Sequence, residues 1–221
     1  MNKTLNHRQQ KTIQNFWKWF QDNEQAIYYA FKLGIKSDEV MKNLQRNLDY
    51  ISKRILMYCY EQKSNPNKFC LIFSAYGYRK LFPKIIALGN AAPQLTYFTP
   101  QTFIKPHTAE NKNDFNDIIL QSMVQTLIKL EDYNITTKKI ILTLFIPKNY
   151  STENKAVIEH LGETLLCYIL GEVNCKRYIK DFNYKPMPEN KNGLLSLAEL
   201  PEFVDYLAKI NYPRKLKVFF E

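Results

Sequence analysis

Four aromatic rings in five residues, Phe16-Trp17-Lys18-Trp19-Phe20, hold both tryptophans of the 221-residue chain and constrain its fold more than any other segment. They lie in a predicted helix, Thr12–Phe31, where Ile13, Phe16, Trp17, Phe20, Ile27 and Phe31 recur at three, four or seven residues. Such spacing draws one apolar stripe along a helix, and that stripe must be covered by another element. Trp19 lies off the stripe, so it either widens the core face or stands exposed. An exposed ring would make Trp19, with Trp17 beside it, the candidate binding anchor, because aromatic side chains are enriched at interface anchors. Residues 1–11 are polar and are expected to fray.

Gly34 closes this helix. Ser37 is placed as the N-cap of a second helix running to about Ser52, with Asp38 and Glu39 in its first turn. Its apolar face is Val40, Leu44, Leu48 and Ile51. The pattern then turns to strands. Arg54–Glu61 and Lys68–Ala75 flank the turn signal Lys63-Ser64-Asn65-Pro66-Asn67 and predict a hairpin. A hairpin that pairs residues 54–61 symmetrically with 68–75 sets Cys59 opposite Cys70. Apolar residues on both faces of these strands call for helices over at least part of the sheet. A short turn at Arg79–Phe82 leads into a helix over Lys84–Asn90, stopped by Ala91-Ala92-Pro93. Leu95–Thr99 reads as a strand closed by Pro100.

Residues 101–116 are the least regular stretch. They are either a mobile loop within one domain spanning 1–221 or the divide between two subdomains. Ile118–Leu130 is read as two short strands with a turn at Glu131–Asn134, followed by a strand at Lys139–Ile146. Ser151 or Thr152 caps a long helix to about Leu170, closed by Gly171. A strand over Asn174–Tyr184, a helix from Leu197 or Ala198 to Ile210, and a terminal strand at Lys215–Phe220 complete the chain. Helices and strands do not alternate strictly, so the expected class is α+β, with a mainly antiparallel or mixed sheet packed against several helices.

Composition narrows the function classes. No stretch approaches the ~18 consecutive apolar residues of a membrane span, and the start of the chain has no apolar run typical of a secretory signal. The expected location is cytoplasmic, with no membrane partner. Cys59, Cys70, Cys167 and Cys175 show no CxxC spacing and sit in apolar runs, which suits buried, reduced thiols. The formal charge of +10 points toward nucleic acid, but only six of the 31 basic residues are arginine, the side chain suited to bidentate phosphate and base contacts. The lysines are spread along the chain, so nucleic acid is the less favoured partner.

Catalytic patterns are weak. Glu159-His160-Leu161-Gly162-Glu163 lacks the second histidine that a zinc helix needs. Ser74 lacks the flanking glycines of a nucleophile elbow, since Ile72 and Tyr76 occupy those positions. The six glycines do not cluster into a phosphate cradle. No cofactor and no metal are implied. An enzyme of unfamiliar type would need a pocket gathering several of Glu163, His160, Glu172, Tyr168 and the 101–116 loop. A nucleic-acid surface would use Tyr58, Tyr60, Phe69 and Phe73 beside Lys53, Arg54, Lys63 and Lys68.

The Phe16–Phe20 helix, Ser74-Ala75-Tyr76-Gly77, Leu81-Phe82-Pro83, Ala91-Ala92-Pro93 and Leu170-Gly171-Glu172 occur in order over most of the chain. Together they resemble a group of bacterial cytosolic proteins of unknown function that open with an FWxWF helix. The resemblance implies one intact α/β unit and adds no activity. The group carries an acidic residue before the glycine, where this chain has Tyr76. The functional expectation is therefore a non-catalytic domain that binds an unidentified protein partner in a regulatory, adaptor or immunity-like role. The alternatives are binding of nucleic acid through a lysine-rich surface and an unfamiliar enzyme.

Overall fold

A computed structural model describes residues 6–62, 64–107, 125–147 and 155–209. The chain divides into two compact units, residues 1–104 and 105–221.

In the first unit, α1 (His7–Leu33) begins five residues before the predicted start. Asn6 and Gln9 explain the difference. The Asn6 side chain accepts from the Gln9 N–H at 2.9 Å, and the Gln9 side chain accepts from the Asn6 N–H at 3.1 Å. This reciprocal cap satisfies amides that would otherwise fray. At the other end Gly34 takes the left-handed conformation, φ 66°. α2 (Ser37–Asp49) is capped by Lys36, itself left-handed, so Ser37 is the first helical residue rather than the cap.

Three strands follow the two helices: β1 (Leu56–Gln62), β2 (Asn65–Ser74) and, after α3 (Phe82–Asn90), β3 (Phe98–Thr102). β2 is central, antiparallel to β1 and parallel to β3. The hairpin register differs by one position from that expectation, with an irregularity between Glu61 and Gln62 next to the turn: Cys59 faces Leu71 and Tyr60 faces Cys70. β3 starts later than expected and runs through Pro100, which an edge strand tolerates because its N–H side needs no ladder partner. The stripe of α1 packs on this sheet: Phe16 and Trp17 meet Phe73 edge-on at 6.0 and 5.7 Å, and Phe20 meets Phe98 at 5.1 Å.

The Trp17 indole N–H donates to the Leu88 carbonyl at 2.8 Å. Leu88 lies in the last turn of α3, where carbonyls lack partners within the helix. Ala91 and Ala92 take the neighbouring carbonyls of Ala87 and Gly89. One buried ring thus fills the core and closes a helix end.

The second unit holds β4 (Leu127–Asn134), β5 (Lys139–Ile146), α4 (Lys155–Leu170), α5 (Glu172–Tyr178), β6 (Ile179–Pro186), β7 (Leu195–Ser196) and α6 (Leu200–Lys209). Its sheet order is β6-β5-β4-β7, with β5 and β6 parallel and the other pairs antiparallel. Two departures from the sequence reading stand out. The turn expected at Glu131–Asn134 is strand, because an irregularity between Leu130 and Asp132 keeps β4 in register with β5 and delays the turn past Asn134. The segment expected as strand from Asn174 is helix up to Tyr178. Gly171, at φ 74°, breaks the chain after α4. Glu172 in the first turn and Lys176 and Arg177 in the last turn then suit the helix dipole.

Ile128, Leu142 and Leu144 point toward Leu165, Leu166, Ile169 and Phe203 of α4 and α6. Gly162 lets α4 approach the sheet: a Cβ there would stand 2.5 Å from the Phe182 ring and 3.2 Å from Leu144. The expected cap at Ser151 or Thr152, the strand from Ile118 and the strand at Lys215–Phe220 lie outside the described residues. Each unit mixes helices with a mixed sheet, and the class is α+β. Among the described residues no helix is long and apolar enough to cross a membrane.

Trp17→Phe removes the bond to Leu88 and leaves a buried carbonyl open, at a cost of about 1–3 kcal/mol. Trp19→Phe, at a half-buried position, changes stability by less than about 1 kcal/mol. Urea unfolding of the two variants checks the difference. Gly162→Ala crowds Phe182 and destabilises by about 1–3 kcal/mol in the same assay.

Candidate functional site

The sheet of the second unit buries one face under α4 and α6. On the other face, strand register aligns Leu127 with Phe145 and Lys129 with Thr143. Side chains opposite each other in a pair share a face. The Thr143 hydroxyl donates to the Glu131 carboxylate at 2.7 Å, which satisfies a buried hydroxyl.

A strap, Met187–Leu194, runs from the end of β6 to β7. The Met187 N–H donates to the Ile146 carbonyl at 3.0 Å, fixing the strap's start to β5. Its tip is folded locally: the Asn190 side chain accepts from the Asn192 N–H at 2.9 Å, and the Leu194 N–H donates to the Lys191 carbonyl at 3.2 Å. Gly193, at φ 74°, turns the chain there without a Cβ penalty. The strap ends where Leu195 pairs with Ile128.

Two cavities of about 470 Å³ each share Pro188 of the strap. The first is lined by Gln125, Leu127, Pro147, Met187, Glu189 and Lys191. The second is lined by Lys129, Leu130, Phe145, Asn190, Asn192 and the Gly193–Leu194 turn. Their floor is apolar, and the polar groups among the described residues are two lysines, one carboxylate and amides. Among the described residues, neither lining contains a cysteine, serine, histidine or tyrosine. Such a lining combines apolar shape with charged groups at its rim.

Neither sequence-predicted anchor lies here. Trp17 is 3% exposed and sits in the first unit's core. Trp19 is half-buried, with its ring 6.5 Å from that of Phe16. The enzyme constellation is partly gathered. The His107 ring stacks on buried Tyr168 at 4.9 Å, and the His107 N–H donates to the Tyr168 carbonyl at 2.8 Å. Glu172 is buried, Glu163 is half-buried and His160 is exposed. Of the aromatics proposed to stack bases, Phe69 and Phe73 are core residues, while Tyr58 and Tyr60 are half-buried on the opposite face of their sheet. The groove was missed because its floor is strand and its wall is a loop. Pro186, Pro188, Asn190, Asn192 and Gly193 mark that loop, yet nothing in their spacing says which face of a sheet it crosses.

All four cysteines are free thiols. Burial, with a smaller contribution from Cys70, pushes the Cys59 thiol from 9.0 to about 12. Its hydrogen bond to Cys175, and then burial, push Cys167 up as well. The same bond holds Cys175 below its ordinary value.

At pH 8 in the native protein, Cys59 resists iodoacetamide, and Cys59 and Cys70 are recovered as thiols without added reductant. Peptide mass spectrometry checks both. The unfolded chain ionises Cys59 near 9.0 and the folded chain near 12. The Cys59 contribution to stability is therefore complete below pH 9.0 and is lost as pH rises toward 12, and Cys59→Ala removes that loss. Compared with family models, with curated proteins and with solved structures, the chain has no match.

Proposed function

We propose that this protein is a non-catalytic binding domain that takes an extended, acidic and apolar segment of another protein into the groove beside the 187–194 strap. The observation that carries this reading is the pair of cavities flanking Pro188, with an apolar floor from Leu127 and Phe145 and ammonium groups from Lys129 and Lys191. Apolar side chains of a partner would enter the two cavities, and its carboxylates would meet the lysines. Glu189 is the one carboxylate in the lining among the described residues.

The backbone supports the same occupant. β7 pairs with β4 only at Leu127 and Ile128. Beyond Ile128, β4 has no further strand neighbour on that side among the described residues. An extended segment could continue the sheet there, with main-chain bonds for affinity and the cavities for specificity. Free thiols at all four cysteines support an intracellular, reducing setting.

The test is selection from a random display library of about twelve-residue peptides, followed by calorimetry of the selected peptides. Enriched peptides should pair one or two large apolar residues with Asp or Glu. The double substitution Lys129→Glu/Lys191→Glu should weaken them by about tenfold or more. An absence of enrichment, or peptides that bind this variant as tightly, would contradict the proposal.

A further inference from the structure

From Gln62 to Ala109 the chain contains no aspartate or glutamate. From Tyr50 to Glu61 it contains one, Glu61, which pairs with Lys32 of α1. The same region carries Lys53, Arg54, Lys68, Arg79, Lys80 and Lys84 among its bases. Arginine is scarce in this protein, yet Arg8, Arg54 and Arg79 all belong to the first unit's exposed residues.

Contacts join most of these groups into one surface. Leu56, at the start of β1, pairs with Ser74, at the end of β2, so the chain entering β1 lies beside the chain leaving β2. Across that junction the Arg54 guanidinium sits 4.7 Å over the Tyr78 ring. Four residues back from Arg54 is Tyr50, 80% exposed. The Lys84 ammonium donates to the Ile51 carbonyl at 3.0 Å, which brings α3 against this segment. There a cavity of about 310 Å³ is lined by Arg8, Thr12, Tyr50, Ile51 and Lys84, with Asn6 and Gln9 of the α1 cap. Asp49, the acid nearest in sequence, accepts a hydrogen bond from Gln45 at 2.9 Å.

We propose that this face of the first unit binds single-stranded nucleic acid. Arg8, Lys84 and Lys53 meet phosphates. The Tyr50 ring and the Arg54–Tyr78 stack each receive a base. The interleaving of rings and cations separates this occupant from an acidic polypeptide. Carboxylates would use the cations alone, whereas a Tyr ring left 80% in water offers a stacking platform. The basic groups come from three segments that the fold brings together, so the surface depends on the folded unit. It is independent of the groove beside the strap.

The experiment is fluorescence anisotropy of a labelled oligothymidylate of about twenty nucleotides with the full chain, starting near 50 mM salt. Binding should weaken roughly twenty-fold between about 50 and 200 mM salt, as expected for about three phosphates neutralised. Tyr50→Ala, which removes an exposed ring, should cost about tenfold, the loss of one stacked base. Lys53→Glu/Arg54→Glu should abolish binding. Lys129→Glu/Lys191→Glu changes net charge equally on the second unit and should leave affinity within about twofold. Three results would overturn the proposal: no binding near 50 mM salt, equal loss in the two double variants, or competition by polyglutamate with the same dependence on Tyr50. Circular dichroism of each variant separates loss of binding from loss of fold.

Discussion

A buried indole nitrogen must find an acceptor, and the first unit is organised around the one that Trp17 finds. The Leu88 carbonyl it meets belongs to a helix end that has no partner of its own for that group. The same ring lies edge-on to Phe16, Phe20 and Phe73. Helix, strand and second helix are thereby fixed by one side chain. A polar group buried without a partner costs more than a typical hydrogen bond contributes, so the position is demanding in both its ring and its nitrogen. With α1 and α3 held in this way, the basic residues of the β1 and β2 ends and the start of α3 share one surface.

In the second unit the corresponding constraint is the close approach of α4 to its sheet through Gly162. One sheet face is filled by Leu165, Leu166 and Phe203, which leaves the other to be shaped by strand ends and the strap. The strap is fixed at both ends by backbone bonds and folded at its tip by Asn190 and Gly193. Its position is therefore set by the chain itself before any partner arrives, and prior order of this kind lowers the entropy lost on binding.

The elements legible in the sequence were those whose signal is local. The stripe of α1, the faces of α2, the strand at Lys139–Ile146 and the stop at Gly171 all follow from periodicity and breakers. The misses have physical causes. The α1 cap needs two side chains to answer each other, and Asn-x-x-Gln is a weaker mark than Ser-x-x-Glu. The α5 segment has too few residues for helical spacing to show. Pro100 in β3 and the delayed turn after β4 depend on which strand lies alongside, which no local window contains. The site was less legible than the fold. Trp19 and Trp17 drew attention because their rings are large, and the structure puts one in the core and the other half under it. The groove residues are common types whose value comes from the strap crossing them. Counting arginines over the whole chain also hides a stretch free of carboxylates from Gln62 to Ala109.

The central claim is that the strap and the sheet beneath it form a ready recognition groove. Amide chemical-shift mapping on the full chain, with a peptide carrying large apolar residues between glutamates, tests it most directly. The account predicts saturable shifts concentrated in Leu127–Leu130, around Phe145 and along Met187–Leu194. Shifts that are absent there, or that fall instead on α4 and the core side of the sheet, would contradict it.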